Sequence, residues 1–136
     1  MENKPVLYTS LSPSLLNLYD VSNSIVVIID VLRATSTIAT ALYNGARSVI
    51  PVDSVLRCIE IGRQIQGVTA GERDGRIAEG LEYGNSPFEY PREFVDGKTL
   101  VLTTTNGTGY CTWRWTKERK KLSPDRSPIF QQSAII

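Results

Sequence analysis

The chain has 136 residues, 41% of them hydrophobic and 21% charged, with 15 basic side chains against 14 acidic ones. These totals suit one modest soluble globular domain with a single core. There is no histidine, which excludes Ser-His-Asp and Cys-His nucleophile systems, phosphohistidine intermediates and imidazole metal sites.

In chain order, Ser10 to Leu16 opens a short helix within an irregular start. Ile25 to Val31 then reads as a fully buried strand, short and β-branched, with Asp30 at its end. From Ala34 the apolar spacing becomes helical through Ile38, Ala41 and Leu42, and Asn44-Gly45 supplies a C-terminal stop. Arg47 to Val52 is a second strand, and Pro51 places it at an edge or ends it. Val55, Ile59, Gly62 and Ile65 mark the next helix, with Asp53-Ser54 as cap candidates and Gln66-Gly67 as its stop.

Val68-Thr69-Ala70 is a short third strand, followed by a glycine-punctuated charged loop from Gly71 to Gly80. Ser86-Pro87 opens a short helix as N-cap and first position, Asp96-Gly97-Lys98 turns the chain, and Thr99 to Thr105 is a β-branched strand. Strands alternating with helices through short turns indicate right-handed βαβ units around a largely parallel sheet. The fold class is therefore α/β.

The text changes at about residue 108. Residues 1 to 108 carry 9 basic and 12 acidic side chains, whereas residues 109 to 136 carry 6 and 2 and hold both tryptophans, Trp113 and Trp115. No glycine follows Gly109 and no further βα pattern appears. A divergent basic tail over 109–136 is expected. Cys58 and Cys111 form neither a disulfide framework nor a metal spacing and read as free thiols. The longest apolar run, Ser24 to Ile29, is far below the roughly 20 residues that span a bilayer. Met1 to Pro5 lacks the order of a signal peptide. A cytoplasmic location and no membrane partner are the expectation.

In an open parallel sheet, ligands bind outside the carboxyl ends of the strands. Asp30-Val31-Leu32-Arg33-Ala34-Thr35-Ser36-Thr37 would put a carboxylate, a guanidinium and hydroxyls at a helix entrance, where free N–H groups favour an oxyanion. Thr103-Thr104-Thr105-Asn106-Gly107-Thr108 offers hydroxyls, an amide and a permissive glycine. The same segments also read as an acid at a strand end, an ordinary Ser/Thr cap and a β-branched strand with its turn. Gly97-Lys98-Thr99 is not a Walker loop, because the required glycine five positions earlier is Arg92. A Cys-x5-Arg loop fails at Gln64 and Lys117, and an Asp-x-Asp start fails at Leu32.

Taken in order, Asp30 to Thr37, Gly71-Glu72-Arg73, Gly84-Asn85-Ser86-Pro87 and Thr104-Thr105-Asn106-Gly107-Thr108 resemble the 2-phosphosulfolactate phosphatase family. The resemblance covers about residues 20 to 108. It implies a three-layer α/β/α domain, here incomplete at the C-terminus, with residues 1–108 as its N-terminal part. It also implies magnesium-dependent hydrolysis of 2-phosphosulfolactate to sulfolactate and phosphate, a step of coenzyme M biosynthesis in archaea; bacterial members are expected to serve other sulfonate or phosphate metabolism. Asp30, Arg33, Glu72 and Arg73 would be catalytic, with the arginines and Arg76 neutralising charge on a small anionic substrate. Thr35, Ser36, Arg76, Asn85, Ser86, Thr105, Asn106, Gly107 and Thr108 would bind that substrate. Mg2+ would take Asp30 and Glu72, or Asn106, as oxygen ligands.

Family members continue past Thr108 into further strands and helices, which the tail does not match; a frame change or truncation is the expected origin, with impaired activity. An uncovered sheet edge invites homo-oligomerisation or aggregation. The alternatives from other classes are a non-catalytic fragment and a small nucleic-acid-binding module using Trp113, Trp115, Arg114, Lys117 and Arg119 to Lys121. Nucleic acid is the less expected partner.

Overall fold

A computed structural model describes residues 6–12, 15, 18–20, 24 and 27–105. Its elements are α1 (Ala34–Tyr43), β1 (Ser48–Pro51), α2 (Val55–Ile65), β2 (Val68–Arg73), β3 (Arg76–Ile77), a 3-10 turn at Pro87–Glu89, α3 (Arg92–Val95) and β4 (Thr99–Thr103). The sheet runs β1-β4-β2-β3, with β4 parallel to both β1 and β2 and only β3 antiparallel. The expected α/β class with a mostly parallel sheet is what the structure has.

β4 is central because both its faces are apolar. Leu100 and Leu102 point into a core with Ala41 and Leu42 of α1, Val49, Val68, Ala70, Tyr90 and Val95. Val101, one residue out of phase, points the other way, to Cys58 of α2 and Val52. Helices thus cover the sheet from two sides. Two close approaches set the spacing: a Cβ on Gly62 would strike the Thr69 side chain, and one on Gly71 would strike the Thr103 carbonyl oxygen. Glycine at those points lets α2 rest on β2 and lets β2 lie against β4.

The sequence stops work as read. α1 ends with Gly45 at φ 102°, while Ala46 N–H donates to Ala41 O at 2.9 Å. Ser54 caps α2 by accepting from Arg57 N–H at 3.3 Å, and Gln66 closes it in the left-handed region. Pro51 lies in β1, which among the described residues pairs only with β4 and so is an edge.

Three expectations are corrected. The Ile25 to Val31 strand is not seen in its described part: residues 27–30 join no ladder, and Val27, Ile29 and Val31 are 66%, 71% and 59% exposed. β-branched composition favours a strand only where a neighbour accepts its hydrogen bonds and a layer covers its side chains. Gly71 to Gly80 is not a plain loop, since β2 runs on to Arg73 and returns through β3. Asp74 and Gly75 both take positive φ, 53° and 75°, as a two-residue hairpin turn requires. Thirdly, α3 forms at Arg92–Val95, where no helix was read. The Ser10 to Leu16 helix lies partly outside the described residues; within it Leu15 N–H donates to Ser12 O at 3.0 Å. The 109–136 tail, with its tryptophans and Cys111, lies outside them. No helix among the described residues is long and apolar enough to cross a membrane.

Candidate functional site

Parallel pairing brings the carboxyl ends of β1, β4 and β2 to one edge of the sheet. At that edge Glu72 and Arg73 end β2, and Thr103 ends β4 beside Gly71. The Glu72 carboxylate spans two loops: Oε1 accepts from Thr105 N–H at 2.8 Å, and Oε2 accepts from Gly75 N–H at 3.1 Å. Arg73 donates to Thr103 Oγ1 at 3.0 Å and to Glu72 O at 2.6 Å. The predicted residues Glu72, Arg73 and Thr105 are therefore one hydrogen-bonded group.

A second group forms around Asn85. Tyr83 lies parallel beside Ala70 of β2, through Gly71 N–H to Tyr83 O at 2.9 Å and Tyr83 N–H to Thr69 O at 3.2 Å. The chain thus leaves at the same edge of the sheet. Three neighbouring backbone groups are held: Glu89 accepts from Gly84 N–H at 2.7 Å and from Ser86 N–H at 3.2 Å, and Tyr90 Oη–H donates to Gly84 O at 2.6 Å. Thr37 Oγ1–H, in the first turn of α1, donates to Asn85 O at 3.0 Å. Asn85 is 3% exposed, yet its side-chain Oδ1 has no partner among the described residues. A buried carbonyl oxygen without a donor is costly, so this atom is suited to receive a hydrogen bond or a hard cation.

The third group is the turn into α1. Asp30 and Thr35 close on each other, Thr35 N–H donating to Asp30 O and Asp30 N–H to Thr35 Oγ1, both at 2.8 Å. Ser36 Oγ–H donates to Val31 O at 2.6 Å, and Thr37 Oγ1 also contacts Arg33 O at 3.1 Å. The hydroxyls of Thr35 and Ser36 build the turn. The half-buried Asp30 carboxylate makes no hydrogen bond among the described residues, and the Arg33 and Arg76 side chains are exposed. Asn106, Gly107 and Thr108 lie outside the described residues.

Charge follows these contacts. Partial burial pushes the Glu72 carboxyl up, but the Thr105 and Gly75 N–H groups, the Thr105 hydroxyl and nearby Arg73 outweigh it and hold the group below the usual glutamate range. An ionised carboxylate anchored at both oxygens is a poor proton donor and a good loop anchor. Burial pushes the Tyr90 phenol up, with Glu89 adding to it, so Tyr90 stays a neutral donor. Burial likewise raises the Cys58 thiol, whose Sγ–H points at Val101 O, 3.2 Å away. Cys58 is a core residue, as read.

Sequence reasoning missed Glu89, Tyr90, Thr37 and Thr103 as the groups that hold the loops. Glu89 had a signal, standing three residues after Ser86 at capping-box spacing. Tyr90 and Thr103 had none, because their partners are distant in sequence.

Carboxylates, a guanidinium, an open amide oxygen and a helix entrance outside the ends of parallel strands define the class: an open-sheet α/β domain with its polar groups at the usual ligand edge. The chain belongs to the 2-phosphosulpholactate phosphatase family, whose model matches residues 10–114. A protein of Caldanaerobacter subterraneus named "Probable 2-phosphosulfolactate phosphatase" is 51% identical over 92 residues, 65% of this chain and 38% of that relative. Proteins of the same name from Thermotoga maritima and Clostridium perfringens are 55% identical over 83 residues and 48% over 89. These cover 60% and 62% of this chain and 36% of each relative. The chain thus spans under two fifths of the length of these curated relatives.

Proposed function

We propose that this chain carries part of the active site of a magnesium-dependent phosphomonoester hydrolase acting on 2-phosphosulfolactate or a closely similar phosphate-bearing sulfonate. The observation that carries the reading is the meeting of Glu72, Arg73, Thr103 and Thr105 at the ends of β2 and β4. With it stand the Asn85 loop and the α1 entrance at the same edge. Family membership supplies the reaction class.

A hard oxygen-preferring cation fits this donor set. Among the described residues Asp30 offers a carboxylate with no hydrogen bond and Asn85 an unpartnered amide oxygen. Mg2+ keeps several of its waters and so needs few oxygen ligands from the protein. Bound there, the ion would polarise the phosphoryl oxygen. The chain's own side chains do the remaining work. Arg73, held by Thr103 and the Glu72 carbonyl, presents a fixed positive charge for phosphate or sulfonate oxygens. Arg33 and Arg76, exposed at the turn and the hairpin, add longer-range attraction. Glu72 fixes the Thr105 amide at the edge, and Asp30 is the carboxylate left to hold the ion or a proton.

Phosphate release from 2-phosphosulfolactate, with and without Mg2+, tests the reading in this chain beside the Thermotoga maritima relative. Release by the relative that needs Mg2+ and falls at least 100-fold on substitution of its counterpart of Arg73 by Ala, with far weaker release by this chain, is the expected outcome. Failure of the relative to release phosphate removes the substrate assignment.

A further inference from the structure

The first turn of α1 is tied to two other parts of the site at once. On one side Thr35 holds Asp30, its N–H donating to Asp30 O and its Oγ1 accepting from Asp30 N–H, both at 2.8 Å. On the other, two residues along the same turn, Thr37 Oγ1–H donates to Asn85 O at 3.0 Å. Asp30 and Asn85 carry the two side-chain oxygens proposed above as donors to the cation.

Thr37 is wholly buried, and its hydroxyl has a single proton to place. Arg33 O, 3.1 Å from that hydroxyl, already accepts Thr37 N–H at 3.0 Å. The bond to Asn85 O is therefore the one that satisfies a carbonyl otherwise open among the described residues. The remaining bonds around Asn85 come from its own segment: Glu89 accepts from Gly84 and Ser86 N–H, and Tyr90 Oη–H donates to Gly84 O. These fix the shape of the loop and not its place relative to α1. Asn44, the C-cap of α1, ties the segment again by donating from Nδ2 to Tyr90 O at 2.8 Å. That second tie lies seven residues from Thr37, roughly 10 Å along the helix. It docks the far end of the segment and leaves the placing of Asn85 to Thr37.

We propose that Thr37 is a positioning residue for the cation: it fixes Asn85 against the first turn of α1 and so sets the Asn85 amide oxygen in register with Asp30, which the same turn holds through Thr35. The inference rests on the assignment of Asp30 and Asn85 to the ion. Groups one step behind metal donors matter because an ion is held tightly only when its donors are already in place. Valine at position 37 would keep the shape and lose the bond; serine would keep the bond.

Mn2+ binding to the full 136-residue chain tests it, with two readouts: the free-ion signal in electron paramagnetic resonance and the broadening of the Asn85 side-chain NH2 signals in NMR. In the wild type Mn2+ should bind and broaden the Asn85 amide. Thr37→Val should weaken binding about tenfold or more, whereas Thr37→Ser should stay within about twofold of the wild type. Asn44→Ala, which loosens the same segment at its other end, should lower the melting temperature yet keep Mn2+ affinity within about twofold. Unchanged affinity in Thr37→Val overturns the proposal, and so does an equal loss in Asn44→Ala, since looser packing would then account for the effect. Binding that leaves the Asn85 amide sharp overturns it in the wild type alone, whether or not Thr37→Val folds. Absence of Mn2+ binding by the wild type overturns it as well, while Mg2+-dependent phosphate release by the Thermotoga maritima relative would still uphold the phosphatase reading.

Discussion

β4 and the segment 27–31 are made of the same kinds of residue, yet they have opposite fates. Leu100, Val101 and Leu102 are wholly buried, paired to β1 on one side and β2 on the other. Val27, Ile29 and Val31 are as apolar and remain mostly exposed, with no ladder among the described residues. The difference teaches that a strand is a property of its neighbours: a β-branched run becomes one when both its edges and both its faces find partners.

The contrast can be broken or sharpened by substitution. Leu102→Ala removes a side chain packed against Ala70 and Leu100 in the main core and should cost about 2 to 5 kcal/mol in urea unfolding. A loss below 1 kcal/mol would mean that β4 is not the centre of the fold. Tyr90→Phe keeps the buried ring but strips the Gly84 carbonyl of its donor, for an expected loss of about 1 to 3 kcal/mol. It should also speed amide exchange around Asn85.

Glu72 contributes less, because its carboxylate is solvent-facing and screened; Glu72→Gln should cost under about 1 kcal/mol at neutral pH. The pH dependence carries a definite sign. The folded carboxyl titrates below the unfolded one, so its contribution is present above the ordinary glutamate pKa and is lost as pH falls through the lower folded value. Thermal midpoints of the wild type and Glu72→Gln should therefore converge only in acid, below the usual glutamate range, and convergence on the alkaline side would contradict the anchor. The smallest effect belongs to the bare segment: Ile29→Ser should shift stability of this chain by no more than about 0.5 kcal/mol. A loss comparable to Leu102→Ala would show that the two segments are alike after all.

Much of the site's location was legible beforehand, but its roles were less so. Asp30, Glu72, Arg73 and Thr105 were picked out because they stand where strands give way to helices or turns, a position that local patterning marks well. What each side chain does was hidden. Thr35 and Ser36 were read as substrate contacts, and in the structure their oxygens hold Asp30 N–H and Val31 O. The Asp74-Gly75 pair carries hairpin turn chemistry in the sequence, within a segment whose charges also suit a loop.

By itself the sequence determined the α/β alternation, the helix ends at Asn44-Gly45 and Gln66-Gly67 and the cap at Ser54, and it left β1 either ending at Pro51 or lying near an edge. Each of these depends on backbone freedom or capping within a few residues. Tertiary structure alone decided that β4 slots between β1 and β2, that Glu72 bridges to Thr105 across 33 positions, that Thr37 holds Asn85 across 48, and that 27–31 stays open. Those outcomes depend on which distant strand supplies a hydrogen-bonding edge and which layer covers an apolar face, and no local pattern carries that information.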